Sequence, residues 1–374
     1  MICKMNRRNN GLQKVNIILL CVLLILTSKG ILDNVTENTE YHSHELNYRD
    51  YVHQNRLLNL FSEEQTSTSS DDEATSGEDS THRSRGVKCN VTRKQLKGRE
   101  DVDLRVLRFT ELEEMFPDHK GGRYRPSHCN PSSRIAIVIP YRDREIHLKL
   151  LLLNLIPKLR RQLTDFTIYV IEQAETEDFN RGMMRNIGFV EAKKRFPYDC
   201  YVFNDVDTII EDDRNLMKCG TDFARHLVSG VRRYNYSLPY RGLLGGVIAL
   251  TDTQMTTLNG YSNMFFVWGG EDDNLFDRFV ESRLWFDRTD YQDGFVTTLA
   301  HKKGKKFTSR FRTGVKTKHS RSFDGVSSLR YEVILVKYKP LFTWIVVSVN
   351  QTLMNEEFLL NGEKLKQWRD KSNS

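Results

Sequence analysis

The pattern of apolar and polar positions divides the chain into a short aliphatic head, a long polar stretch and a body with regular periodicity. Val15 to Leu26 is almost wholly aliphatic, with four positive charges before it and Thr27, Ser28 and Lys29 after it. A basic flank followed by an apolar core marks a membrane-targeting segment. Its core is shorter than the about 20 residues a spanning helix needs, so a cleaved signal peptide is the rival reading. No small-x-small cleavage site follows, however, and Gly30, Ile31 and Leu32 extend the run. The expectation is a type II signal anchor over 15–32, with a cytoplasmic tail over 1–14 and everything later on the luminal side. Residues 33–88 have little apolar periodicity, and 62–81 is acidic and of low complexity. That segment is expected to be a disordered, solvated stem.

Periodicity returns from residue 134. Arg134 to Pro140 is a short β-branched run and predicts a buried strand. Between Glu145 and Gln162, Leu148, Leu150, Leu151, Leu152, Leu155 and Leu159 stand among charges, the pattern of a helix laid on a sheet. Phe166 to Ile171 reads as a second strand, Phe179 to Phe196 as a helix, and Tyr201 to Ile210 as a third apolar run broken by acids. Alternating strands and helices predict a parallel α/β sheet, whose ligand sites lie at the carboxyl ends of the strands. Pro140, Asp205 and Asp207 fall at such ends. Residues 351–374 read as a short amphipathic or frayed tail.

Composition changes this picture in two ways. At 374 residues, 39% hydrophobic and 10% aromatic, the chain can bury a large core, which excludes wholesale disorder. The net charge of +7 conceals +5 over 1–32, −7 over 33–88 and +9 over 89–374, a layout that disfavours a plain soluble cytosolic enzyme. Of six cysteines, Cys3 and Cys21 fall in the tail and the membrane segment. Cys89, Cys129, Cys200 and Cys219 form an even set with no zinc-finger spacing, so two disulfides are expected in an oxidising compartment. Glycosylation sequons begin at Asn34, Asn90, Asn235 and Asn350, which is compatible with a luminal body.

Three constellations carry chemistry. Asp205 and Asp207 are two carboxylates one residue apart in an extended segment, a set of hard oxygen ligands for Mn²⁺ or Mg²⁺ bridged to a diphosphate. A surface turn is the ordinary reading of such a pair, but Tyr201, Val202 and Phe203 just before it are apolar. In Trp268-Gly269-Gly270-Glu271-Asp272-Asp273, three acids follow an aromatic and a glycine pair. A sugar ring stacks on such an aromatic while an acid takes a hydroxyl proton, although acids capping a helix N-terminus are the equal rival. His301 precedes Lys302, Lys303, Lys305 and Lys306, basic residues that suit a diphosphate beside a metal ligand. With a membrane segment and an acidic metal site, nucleic acid is not the expected partner.

Together these residues resemble the β-1,4-galactosyltransferase family, glycosyltransferase family seven, over roughly 89–349. Pro140-Tyr141-Arg142-Asp143-Arg144 is similar to its nucleotide-binding segment. Phe179-Asn180-Arg181, Asp205-Val206-Asp207 and Gly270-Glu271-Asp272-Asp273 match three further motifs in family order, and Gly121 to Pro126 resembles its entry to the first strand. The resemblance implies a GT-A-like α/β fold in a single luminal catalytic domain over 89–374, with disulfides Cys89–Cys129 and Cys200–Cys219, at the Golgi membrane. It implies that Asp207 and His301 ligate Mn²⁺ on a UDP-sugar, that Trp268 lies against donor and acceptor, and that Asp272 is the general base. Glu271, Asp273, Gly270 and the pair Arg310-Phe311 would line the site for a glycan ending in N-acetylglucosamine.

Three departures bear on specificity. Leu243 stands where galactosyl-transferring members carry a Tyr that crowds C2 of the donor sugar. The resemblance is therefore closest to invertebrate β-1,4-N-acetylgalactosaminyltransferases, and UDP-GalNAc is the expected donor. Thr298 replaces a Met ligand three residues before the His, exchanging a soft ligand for a hard one and shifting preference towards Mg²⁺. Val267 replaces a glycine before the loop Trp, and Val is not expected to take glycine's positive-φ conformations. The rival functions are a β-1,4-galactosyltransferase on the same acceptor and a catalytically silent Golgi protein that binds glycans or nucleotide sugars. The residues leave open a membrane partner protein.

Overall fold

In the computed structural model the chain is described over residues 87–174, 178–301, 317 and 319–372. These all belong to one structural unit, Asp79–Ser374. The cytoplasmic tail, the anchor and all but the last two residues of the stem lie outside the described residues, as do Arg310, Phe311 and the lysine run after His301. No helix among the described residues is long and apolar enough to cross a membrane.

The strands, in chain order, are β1 (Arg123–Tyr124), β2 (Arg134–Tyr141), β3 (Asp165–Gln173), β4 (Cys200–Asn204), β5 (Thr208–Ile210), β6 (Ala224–His226), β7 (Gly230–Val231), β8 (Val247–Leu250), β9 (Phe286–Arg288), β10 (Phe295–Thr298), β11 (Glu332–Tyr338) and β12 (Thr343–Ser348). The α-helices are α1 (Phe109–Met115), α2 (Glu145–Arg161), α3 (Arg181–Arg195), α4 (Asp252–Leu258), α5 (Glu271–Ser282) and α6 (Gln351–Ser372). The main sheet runs β11-β12-β3-β2-β4-β8-β6-β9, with β1 added to β3.

β2 shows why its sequence is a continuous apolar run. Ile135, Ile137 and Ile139 face a core built with the leucines of α2, while Ala136 and Val138 face a second core with Met183, Met184 and Ile187 of α3. A strand covered by helices on both faces has no polar side to alternate with. β2 runs parallel to β3 and to β4, as the helical crossovers require. The all-parallel expectation is corrected beyond that point. β8 is antiparallel to β4, β6 is antiparallel to β8, and β11 is antiparallel to β12, because these strands follow turns and loops rather than helical crossovers.

The acids of the third apolar run split it. β4 ends at Asn204 in the main sheet, and β5 begins at Thr208 in a separate three-stranded sheet, β5-β10-β7. β10 lies antiparallel to β5 with Thr298 opposite Thr208, which carries the chain on to His301 beside the Asp205–Asp207 turn. The expected disulfides are present as Cys89–Cys129 and Cys200–Cys219. The expected C-terminal tail is instead a 22-residue helix, α6, held by buried Met354, a Phe323–Phe358 ring contact at 5.3 Å and an Arg330–Glu357 ion pair at 2.9 Å.

Candidate active site

The first wall forms where β2 ends. Pro140 is in register with Ile171, and Tyr141 closes the strand half-buried, where burial pushes its hydroxyl up to about 12. Asp143 turns the chain with φ +50°, and Arg144 takes the position preceding α2. The Arg142 guanidinium lies 5.1 Å from the Phe179 ring centroid, so the nucleotide-binding segment and the Phe179-Asn180-Arg181 segment meet. Asn180, expected in the donor site, is held within the fold. It is fully buried, its side chain accepts from the Met183 amide at 2.9 Å and donates to the Asn263 carbonyl at 2.7 Å, and its task is to cap α3.

The two acids of the turn after β4 have different neighbours. Asp205 accepts from Arg185 at 2.5 Å and lies 3.7 Å from Arg181 Nε. Both arginines project from one face of α3, four residues apart. Asp207 lies 3.2 Å from His301 Nε2. Burial alone would raise its carboxyl, but the hydrogen bond from His301 and the charge of Arg181 hold it below the ordinary range. Val206, between them, packs half-buried on the core beneath. Thr298 Oγ1, on the neighbouring strand, is buried with no hydrogen-bond partner among the described residues. The His147 ring approaches the His301 ring at 6.3 Å, and its Nε2 lies 3.2 Å from the Ala300 carbonyl oxygen. No group of three or more His, Cys, Asp or Glu placed to enclose a metal occurs among the described residues.

The second acidic motif opens α5. Gly270 precedes the helix at φ +97°, and a side chain there would meet the Phe265 ring at 2.7 Å, so the motif's glycine is fixed by packing as well as by conformation. Glu271, expected in the acceptor site, points inward and pairs with Arg181 at 2.6 Å. Burial would raise its carboxyl, but Arg181 and Arg185 keep it below the usual range. Asp272 has no such partner among the described residues. Burial, reinforced by the charges of Glu271 and Asp273, pushes it up to about 8, against the weaker pull of Arg185 and Arg181. Its Oδ2 lies 2.9 Å from where a Cβ on Gly245 would be, which places it against the Leu243–Gly246 loop. Asp273 is exposed and accepts from the Tyr240 hydroxyl at 2.6 Å.

Trp268 is 42% exposed in the loop before the glycine pair. The expectation for Val267 is overturned. Val267 adopts φ +76°, and its amide donates to the Phe179 carbonyl at 2.9 Å, so the loop keeps a glycine-like conformation with a β-branched residue in it. That bond holds a backbone conformation that costs a non-glycine residue about 1–2 kcal/mol. Val267→Gly is expected to raise unfolding stability by about 1 kcal/mol in thermal melts. A loss of stability would show that the strain is absent.

Arg185, Tyr240, His226 and Arg288 were not singled out from the sequence as site residues. Only Arg185 carried a local signal, its spacing of four from Arg181 on a helix. The other three reach the site through strand pairing and a loop, which no periodicity reports.

Comparison with known proteins agrees with this geometry. Residues 89–220 match the model of the N-terminal region of glycosyl transferase group 7, and 225–302 match that of the N-terminal domain of galactosyltransferase. The chain is 35% identical over 324 residues to a β-N-acetyl-D-glucosaminide β-1,4-N-acetylglucosaminyl-transferase of Lymnaea stagnalis, covering 72% of this chain and 66% of that one. It is 40% identical over 237 residues to β-1,4-galactosyltransferase 2 of Mus musculus, covering 62% and 64% of the two chains. It is 37% identical over 272 residues to β-1,4-galactosyltransferase 5 of Danio rerio, covering 71% of each. The chain thus spans just under two thirds of the length of the Lymnaea and mouse relatives. Among solved structures, a mutant of Drosophila β-1,4-galactosyltransferase 7 complexed with manganese, UDP-Gal and xylobiose aligns with a TM-score of 0.50 at 22% identity, covering 58% of this chain and 94% of that one. That likeness, with the mixed sheet, gives a GT-A-like α/β fold. By the matched models, the relatives and the order of its motifs, this chain belongs to the glycosyl transferase group 7 family.

Proposed function

We propose that the chain is an inverting β-1,4-glycosyltransferase that moves N-acetylgalactosamine from UDP-GalNAc onto O4 of a terminal N-acetylglucosamine. The single observation that carries this reading is the contact of Asp272, a carboxyl with no cationic partner among the described residues, with the loop that bears Leu243. One element holds a base and the next holds the side chain that would face C2 of the donor.

Asp272, once ionised, accepts the O4 proton as that oxygen attacks. Attack on the face opposite the leaving diphosphate turns an α-linked donor into a β-linked product. Arg181 is fixed by Glu271 and Asp205 and brings positive charge to the floor of the site, where a diphosphate would lie. Trp268 offers the acceptor ring an apolar face and helps exclude water that would otherwise hydrolyse the donor. The carboxylate of Asp207, the imidazole of His301 and the hydroxyl of Thr298, which has no partner among the described residues, fit a hard divalent cation, Mn²⁺ or Mg²⁺. Such an ion, when bound, neutralises charge on the departing UDP.

Leu243 supports the choice of donor, since an aliphatic side chain leaves room for an N-acetyl methyl that Tyr would crowd. The name of the Lymnaea relative, an N-acetylglucosaminyl-transferase, agrees with an N-acetylated donor in this family. The names of the mouse and zebrafish relatives favour the second reading, a β-1,4-galactosyltransferase on the same acceptor. Residues 15–32 support placement as a type II membrane protein, and the family resemblance supports the Golgi as its compartment.

Leu243→Tyr separates the two donors. The ratio of kcat/KM for UDP-GalNAc over UDP-Gal is expected to fall by about tenfold or more, the scale on which filling a pocket discriminates substrates. An unchanged ratio would reject the assignment of GalNAc through this residue.

A further inference from the structure

The Leu243 loop is held by a pair of residues that belongs to none of the motifs named in the sequence. His226 ends β6 and Arg288 ends β9, and the two strands run parallel with these residues in register. Arg288 Nη1 lies 2.6 Å from His226 Nδ1. A guanidinium can only donate, so Nδ1 is the acceptor and carries no proton. The proton therefore sits on Nε2, which donates to the Gly245 carbonyl at 2.8 Å. Burial, with the adjacent Arg288 charge, pushes His226 down to about 3, so this tautomer persists across neutral pH. Arg288 Nη2 also donates to the Arg241 carbonyl.

One His–Arg pair thus fixes the backbone at Arg241 and at Gly245, and Leu243 lies midway between them. The carbonyl of Gly246 accepts from the Asp205 amide at 2.9 Å, which ties the same loop to the turn after β4. At the other extreme of the loop, Tyr240 reaches Asp273. We infer that His226 and Arg288 are positioning residues for donor selection: together they clamp the Arg241–Gly245 backbone and so set how far Leu243 stands from the donor sugar and where Gly245 abuts Asp272. The inference rests on the proposed function, because it names the device behind the selectivity of that same site. Neither residue touches the reacting atoms.

The test uses the full chain and calorimetric binding of UDP, UDP-GalNAc and UDP-Gal in the presence of Mn²⁺, with steady-state donor ratios measured alongside. His226→Phe keeps a planar ring, slightly larger than imidazole, and loses both hydrogen bonds. It is expected to reduce the extra affinity contributed by the sugar, and the donor ratio, by about tenfold, while UDP alone binds within about twofold of wild type. His226→Gln, which keeps one donor and one acceptor, is expected to restore most of that loss. If His226→Phe does not fold, Arg288→Lys decides. A lysine is a single point charge that cannot hold Nδ1 and the Arg241 carbonyl with one planar fork, and the same selective loss is expected. Parallel losses for UDP and UDP-sugars, or a Gln variant no better than Phe, would overturn the clamp with the proposed function intact. A wild-type chain that gains nothing from either sugar over UDP would overturn the proposed function and the clamp with it.

Discussion

Asp272→Asn is expected to lower transfer by about a thousandfold or more while leaving UDP binding nearly unchanged. The loss is that of a general base at its point of action, for which about 10²–10⁴ is usual. UDP binding persists because Asp272 takes no part in the Asp207–His301 pair or the Asp205–Arg185 pair. The wild-type pH profile carries the same signature. A base pushed up to about 8 is mostly protonated at pH 6, so kcat/KM should climb about tenfold per pH unit below 8 and level off above it. Stability should move the opposite way. A carboxyl raised above its unfolded value near 4 leaves the folded state holding more protons than the unfolded state between pH 4 and 8, so stability falls as pH rises through that window. Asn carries no such charge. Asp272→Asn should therefore melt at a higher temperature than wild type, by an amount that grows from pH 4 to 8 and flattens above. An inactive variant that melts lower at pH 8 would mean that Asp272 is an anchor of the fold and not a strained base.

Asp207→Ala and Asp205→Asn should fail in different ways, although the two residues are neighbours in one short motif. Asp207 faces His301, so Asp207→Ala removes one of two strong candidate ligands. Divalent-cation-dependent UDP affinity should drop about a hundredfold or more in calorimetry, with the melting temperature little changed. Asp205 instead compensates Arg185, which is 1% exposed and lies over the Tyr261 ring, and Arg181. Removing one partner of a buried pair costs about 3–5 kcal/mol, so Asp205→Asn should first show as lost stability. Equal losses of cation-dependent binding in both variants, at equal stability, would contradict this division.

The parts of this division differ in how far the sequence discloses them. The β2 run and the leucines of α2 announce a strand buried on both faces, because burial on two sides leaves a hydropathy trace. The alternation also places Pro140 and Asp205 at strand ends. Direction in the outer sheet is less visible, since β8 is apolar whether parallel or antiparallel and its partner is chosen by the turns before it. At the site, residue identity reveals the acids but not their orientation. Glu271, Asp272 and Asp273 look equivalent along the chain, yet one pairs with Arg181, one has no ion-pair partner among the described residues and one meets Tyr240. The arginines that make that choice sit on α3, about 90 residues earlier. Val267 shows the reverse case: its side chain argues against a positive φ, and the amide bond to Phe179 overrides it. Arg310 and Phe311, named from the resemblance alone, lie outside the described residues.

The central claim is the transfer of N-acetylgalactosamine with inversion. Its most direct test mixes equal UDP-GalNAc and UDP-Gal with a terminal N-acetylglucosamine acceptor, the purified chain and Mn²⁺ or Mg²⁺, and reads the product's sugar, anomer and linkage by nuclear magnetic resonance. A product dominated by β-1,4-linked N-acetylgalactosamine is the predicted result; galactose transferred as fast or faster, an α-linkage, or no transfer with either ion would contradict it.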